Sequence, residues 1–162
     1  MIDQIDIALL EVLQKQARTK RNELAEATGL SIPAISERLK KLEEGGIIRS
    51  YGAWVNPRAL GFDVAAFIFV TVDSSKHYRS FLQRVHGQDE ILECHAITGR
   101  GTHLLKVRTR NTESLEKLLS RIQSWDGVMQ TMTSVVLSSP KESSYIPLAA
   151  QHPVVTKNSK GG

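Results

Sequence analysis

The sequence has little of several things that announce particular chemistries. Among its 162 residues there is one cysteine, Cys94, so no disulfide can form within the chain. A single thiol fits a reducing, cytoplasmic setting. The longest apolar run, Val64 to Val70, is too short to cross a bilayer, and no membrane association is expected. The first residues, Met1-Ile2-Asp3-Gln4-Ile5-Asp6, are acidic and amphipathic, unlike the basic start of a secretion signal. No Cys-x-x-Cys or His-x-x-x-His spacing occurs, so neither a metal nor a cofactor is expected. Cys94 and His95 are strand neighbours and face opposite ways, which excludes them as a nucleophile and its base. Cys94 reads as a small buried residue. Aromatic residues make up only 6% of the chain. Tyr51, Trp54 and Trp125 are not interleaved with basic residues as a stacking platform would be, so they read as packing residues. No solenoid-type repeat is present.

What is present is ordinary for a globular protein: 41% hydrophobic and 23% charged residues, enough for one domain or two small ones. The net charge of +4 points to nucleic acid only weakly. Residues 1–50 hold Lys15, Arg18, Lys20, Arg21, Arg38, Lys40, Lys41 and Arg49 against Asp3, Asp6, Glu11, Glu23, Glu26, Glu37, Glu43 and Glu44. That segment is formally neutral, so any case for DNA rests on where the charges sit.

Ile2, Ile5, Leu9, Val12 and Leu13 recur at helical spacing and predict an opening amphipathic helix. Lys15 to Arg21 breaks the pattern. A short second helix is expected near 22–28, with Leu24 and Ala25 inward and Gly29 ending it in the left-handed conformation. Ser31 then suits an N-cap and Pro33 a first turn. Ile35, Leu39 and Leu42 form one stripe of the third helix, which Gly45 and Gly46 stop. Helix, glycine turn, helix is the helix-turn-helix pattern. The small residues Ser31, Ala34 and Ser36 let a backbone approach a major-groove floor, where Glu37 and Lys40 reach base edges. The helix dipole and the amides of Ser31 to Ala34 suit a phosphate. Candidate DNA-contacting residues are Lys20, Arg21, Ser31, Ile32, Pro33, Ala34, Ser36, Glu37, Arg38, Lys40 and Lys41. Ile47 to Tyr51 reads as a wing strand.

Asn56-Pro57 to Gly61 is a turn-rich joint, after which the period changes to two. Val64, Ala66, Ile68, Val70 and Val72 face one way and Ala65, Phe67 and Phe69 the other. A helix marked by Tyr78, Phe81, Leu82 and Val85 follows, then a strand from Ile91 to Thr98, a turn at Gly99-Arg100-Gly101 and a strand from Thr102 to Arg110. Asn111 or Thr112 caps a helix carrying Leu115, Leu118, Leu119 and Ile122, and Val128 to Ser138 is the last strand. The order βαββαβ is that of a ferredoxin-like sandwich. The class is therefore α+β, with an N-terminal winged helix-turn-helix and a C-terminal βαββαβ domain. One sheet face is left open, and a second copy of the domain is its expected cover. The expected division is 1–50 for the DNA-binding domain, 51–61 for a linker strand and turn, 62–140 for the ferredoxin-like domain, and 141–162 for a tail with a disordered end.

Several stretches carry a resemblance: Asp6-Ile7-Ala8-Leu9-Leu10, Glu23-Leu24-Ala25, Gly29-Leu30-Ser31, Arg38 to Ile48, Leu92 to Gly99, and Leu104-Leu105-Lys106-Val107-Arg108. In this order, across residues 2 to 140, the chain resembles the Lrp/AsnC (feast/famine) transcription regulators. The resemblance implies a sequence-specific regulator that binds double-stranded DNA as a homodimer or octamer, its ferredoxin-like (RAM-type) domains paired sheet to sheet. It also implies a small effector, usually an amino acid, held between subunits near the hairpin turn. That places Gly99, Arg100, Gly101, Thr102, His103, Thr133 and Ser134 as candidate effector residues; the plainer reading of Thr133 and Ser134 is sheet-face hydroxyls.

Two departures from the family pattern stand out. The family's hairpin turn reads Gly-acidic-x-Asp-aromatic-Leu, whereas Arg100 and Thr102 here replace both acidic residues. An ammonium group then lacks its anion, and Arg100 favours an anionic ligand or none. Lys20 stands where many relatives carry a serine. Two other readings remain open at this point. One is an enzyme resembling the sirohaem decarboxylases, which share this architecture, with His95, His103 and Arg100 around a tetrapyrrole. The other is an effector-sensing oligomer that acts by protein contact alone.

Overall fold

A computed structural model describes residues 2–148. The expected disordered end of the tail, 149–162, lies outside the described residues. The described residues form two compact units, one comprising residues 2–54 together with 141–148, the other Val55–Pro140.

Among the described residues the first unit contains three helices. Helix α1 spans Gln4–Lys15, α2 Arg21–Thr28 and α3 Ile32–Glu44. Ile2 lies outside α1 because Asp3 is its N-cap. Asp3 accepts from the Asp6 amide (2.9 Å) and Asp6 accepts from the Asp3 amide (3.1 Å), a reciprocal capping box. Gly29 ends α2 at φ +71°, a left-handed conformation that glycine enters without steric cost. The chain can therefore start α3 two residues later, with Ser31 as its cap. Leu9, Leu13, Leu24, Ile35 and Leu39 form the core, flanked by Ile5, Val12, Ala25, Leu30 and Ile48. Each of the five buried core side chains contributes roughly 1.5–3 kcal/mol by leaving water.

The wing strand expected at Ile47–Tyr51 is not formed. Among the described residues this segment pairs with no strand. The amides of Ile47 and Ile48 both donate to the Leu42 carbonyl, at 2.9 and 3.0 Å, which folds the chain back over the end of α3 and seats Ile48 on the core. Trp54, expected to pack, is 72% exposed. Tyr51 is 46% exposed; its hydroxyl donates to Glu43 (2.9 Å), and the partial desolvation of the hydroxyl together with that bond pushes the phenol pKa up to about 12.

Residues 143–148 lie along α1. The Gln14 side chain donates to the Ile146 carbonyl (3.0 Å) and accepts its amide (2.8 Å). Glu11 accepts the Leu148 amide (2.9 Å) and the Tyr145 hydroxyl, and the Lys15 ammonium sits 5.5 Å from the Tyr145 ring centre. A run without helical or strand period is thus held by side chains of α1.

The second unit contains β1 (Val64–Val72), α4 (Ser75–His86), β2 (Ile91–Ala96), β3 (His103–Thr109), α5 (Thr112–Gln123) and β4 (Val128–Val135). The sheet order is β2-β3-β1-β4, and every neighbouring pair is antiparallel. Ala66, Ile68, Val70, Leu105 and Val107 face the helices and pack with Phe81, Val85, Leu115, Leu118, Ile122 and Trp125. Of the residues that mark α4, Phe81 and Val85 are buried and Leu82 is 39% exposed. Asn111 is the cap of α5, accepting from the Ser114 amide at 2.8 Å. Cys94 is half-buried against the core, and its burial pushes the thiol pKa up.

The register fixes the other face. Phe67 lies beside Lys106 and Ser134, and Phe69 beside Leu104 and Met132. Phe67 is 37% exposed, and no element within the unit covers this side. At its margin Glu93 bonds Lys106 (3.1 Å) and pairs with His95 (3.0 Å).

Candidate nucleic-acid interface and hairpin site

Helix α3 buries Ile35, Leu39 and Leu42, which turns Pro33, Glu37, Lys40, Lys41 and Glu44 outward. Ser31 and Ile32 are exposed at its start, and Ala34 and Ser36 are partly covered. The Ser31 hydroxyl accepts from the Ala34 amide (3.4 Å). Pro33 has no amide hydrogen, so the first turn offers an anion fewer donors than its length suggests. Lys41 lies 2.7 Å from Glu37 and Lys40 lies 3.7 Å from Glu44, both spanning one helical turn. The Lys41 hydrogen bond holds the Glu37 carboxyl below its usual range. Such exposed pairs are weak because water screens them, and they open readily to a phosphate. Lys20 and Arg21 are exposed at the start of α2, beside this surface in sequence and with no side-chain cap on the helix.

Arg38 differs from the rest of the predicted DNA-contacting set. It sits on the flank of α3, and its Nη1 donates to Asp3 (2.7 Å) and Asp6 (2.8 Å). The Asp6 amide, and next to it Arg38, keep the Asp3 carboxyl below its ordinary value. The guanidinium therefore ties α3 to the start of α1 rather than facing outward with Lys40. Sequence reasoning found the flank position but missed the clamp. The signal was available in the two aspartates spaced three apart at the chain's start.

The predicted effector residues are not brought to one place. Gly99 (φ +95°) and Gly101 (φ +78°) shape the β2–β3 turn. A Cβ on Gly101 would meet the Val70 carbonyl oxygen at 2.8 Å, so the turn is pressed against β1. Arg100 is exposed and its Nη1 lies 3.4 Å from the Met132 sulfur. Thr102 points inward: its hydroxyl accepts from the Val72 amide (3.0 Å) and donates to the Val70 carbonyl (3.2 Å). His103 is buried, with Nδ1 2.9 Å from that same hydroxyl and its ring 5.0 Å from Tyr78 and 4.8 Å from Phe81. Burial pushes its pKa below the ordinary value. Thr133 pairs with Ile68 on the helix side, whereas Ser134 pairs with Phe67 on the open side. The two cannot line one pocket on a single face of the sheet. Arg100 stays exposed at the turn with its guanidinium against Met132, while Thr102 and His103 are occupied in holding the hairpin. Among the described residues no cluster of His, Cys, Asp or Glu suits a metal ion, and no helix is long and apolar enough to cross a membrane.

Known proteins share this arrangement. Residues 2–49 match a family described as winged helix-turn-helix DNA-binding, and residues 65–146 match the Lrp/AsnC ligand binding domain. The chain is 38% identical over 147 residues to the HTH-type transcriptional regulator FL11 of Pyrococcus abyssi, covering 91% of this chain and 97% of that one. The structure of Escherichia coli AsnC superposes with a TM-score of 0.83 at 35% identity, over 91% of this chain and 99% of AsnC. A Neisseria meningitidis transcriptional regulator in complex with L-Met superposes with a TM-score of 0.86 at 31% identity, over 93% of this chain and 99% of that one. These relatives are regulators rather than enzymes, and both halves of the chain match. The chain belongs to the Lrp/AsnC family and is a DNA-binding transcriptional regulator.

Proposed function

We propose that the regulator works as a homodimer paired through the open face of its sheet, with octamers built from such dimers. The observation that supports this most is the apolar open face on which Phe67 is exposed and its neighbours Phe69, Leu104 and Met132 are partly so, with Lys106, Glu93 and His95 beside them. A second copy laid on this face removes it from water and matches charged residue to charged residue by two-fold symmetry. Pairing places two α3 helices in successive major grooves about 34–36 Å apart, on an imperfect palindrome of double-stranded DNA. Ser31, Ile32, Pro33, Ala34, Ser36 and Glu37 face the base edges. Lys20, Arg21, Lys40 and Lys41 contact phosphates, and Arg38 supports the helix from behind. The protein acts in the cytoplasm.

The effector site lies beside the β2–β3 turn at the paired faces. The Neisseria relative holds L-Met, but here Arg100 replaces an acidic residue of the family's turn. A guanidinium recognises a carboxylate or phosphate better than an ammonium. The ligand is therefore an anionic small molecule that presents its acid group to Arg100.

Sedimentation equilibrium of the wild type against Phe67→Glu tests the pairing. The wild type should sediment as a dimer or a multiple of it, and the variant as a monomer with weakened operator binding. A wild type that stays monomeric at tens of micromolar contradicts the proposal. Thermal-shift screening with L-methionine and with dicarboxylates tests the ligand class: stabilisation by the dicarboxylates, lost in Arg100→Ala, is expected.

A further inference from the structure

We propose that Ile32 reads a thymine methyl group in each half-site of the operator. The inference rests on entry of α3 into the major groove, as proposed above. Ile32 is the first residue of α3 and is 49% exposed. No other large apolar side chain of α3 is exposed: Ile35, Leu39 and Leu42 are all buried. In a helix each Cα–Cβ bond tilts toward the N-terminus, so a first-turn side chain projects ahead of the helix end. That end is the part of a recognition helix that meets base edges.

The neighbouring side chains leave this turn little else to read with. Guanine is read by Arg or Lys and adenine by Asn or Gln, through paired hydrogen bonds. Helix α3 contains no Asn or Gln. Its one arginine, Arg38, is held by Asp3 and Asp6. Lys40 and Lys41 lie two or more turns further on, each beside a glutamate. The first turn is Ser31, Ile32, Pro33 and Ala34; its one side-chain polar group is the Ser31 hydroxyl, which caps the helix. Among the four base pairs only A·T and T·A present a methyl group in the major groove, and an apolar side chain is its natural contact. An isoleucine held half in water at this position becomes fully covered when it meets that methyl.

The test begins with selection of bound duplexes from random DNA. Each thymine of the selected site is then replaced singly by deoxyuridine, which removes only the methyl. Losing the contact of one methyl group weakens binding about four-fold. The wild type should lose that factor at one thymine per half-site. Ile32→Ala should bind thymine and deoxyuridine sites equally, whereas Ile32→Val, which keeps a branched apolar contact, should retain part of the preference. Each preference is a ratio within one variant, so a change in overall affinity does not blur it. Wild type that is indifferent to every methyl, or Ile32→Ala that keeps the full preference, overturns the inference while leaving sequence-specific binding intact. Failure of the selection to yield any preferred site overturns the recognition reading itself, and this inference with it.

Discussion

Arg38, on the flank of the recognition helix, donates to Asp6 at the start of α1 across 2.8 Å. The same nitrogen reaches Asp3 at 2.7 Å, so one cation closes onto both members of the capping box. An arginine in a recognition helix normally invites assignment to DNA. Here its charge is already matched within the protein. Replacing one phosphate-contacting cation lowers the slope of log affinity against log salt by about 0.9. Lys40→Ala and Lys20→Ala should each show that change. Arg38→Ala should leave the slope unaltered while lowering the melting temperature, and salt-dependent anisotropy titrations check it.

Gly101 combines a positive φ with a Val70 carbonyl where a Cβ would stand. Gly101→Ala should destabilise the fold by about 1–3 kcal/mol, the range for strained backbone in a fixed surrounding. Chemical denaturation measures it. Gly99→Ala, whose added Cβ meets nothing within 4 Å, should cost less despite its φ of +95°.

His103 titrates below its ordinary value because burial disfavours the charged ring. The sign follows from linkage. The unfolded state binds the proton first, near the ordinary histidine value of about 6.5, so stability is full above that pH and falls as the pH drops through it toward the folded value. Melting temperatures of the wild type should therefore decline between pH 7.5 and 5. His103→Phe keeps a ring against Tyr78 and Phe81 and should flatten that decline.

The contact of residues 143–148 with α1 depends on Gln14 and Glu11. A net hydrogen bond contributes about 1 kcal/mol, which is about a five-fold change in opening. Gln14→Ala should accelerate limited proteolysis between Lys141 and Leu148 by about that factor or more, with little effect on the circular dichroism of the helices.

Local signals carried most of the fold. Gly29, Ser31 and Pro33 set the turn and the start of α3 because each acts through its own backbone, and the two-residue period of β1 placed Ala66, Ile68 and Val70 inward. Contacts distant in sequence were not legible. The Arg38–Asp3 pair spans 35 positions and the Gln14–Ile146 pair 132, and neither leaves a periodic trace. Ile47–Tyr51 has a strand's composition, yet strand formation needs a partner edge, and the Leu42 carbonyl takes the two amides that would have paired. Thr133 and Ser134 looked like one pocket wall because adjacency in sequence conceals the alternation of a strand. Arg100 was readable as a departure from the family's hairpin; that Thr102 and His103 turn inward was not.

Photo-crosslinking from the outer face of α3 tests the central claim most directly. In a Cys94→Ser background, a benzophenone attached to Lys40→Cys should crosslink to duplex carrying the selected site, and the same probe on Leu82→Cys, exposed on α4, should not. Absence of DNA adducts from position 40, or equal yields from both positions, would contradict an α3 that lies against the duplex.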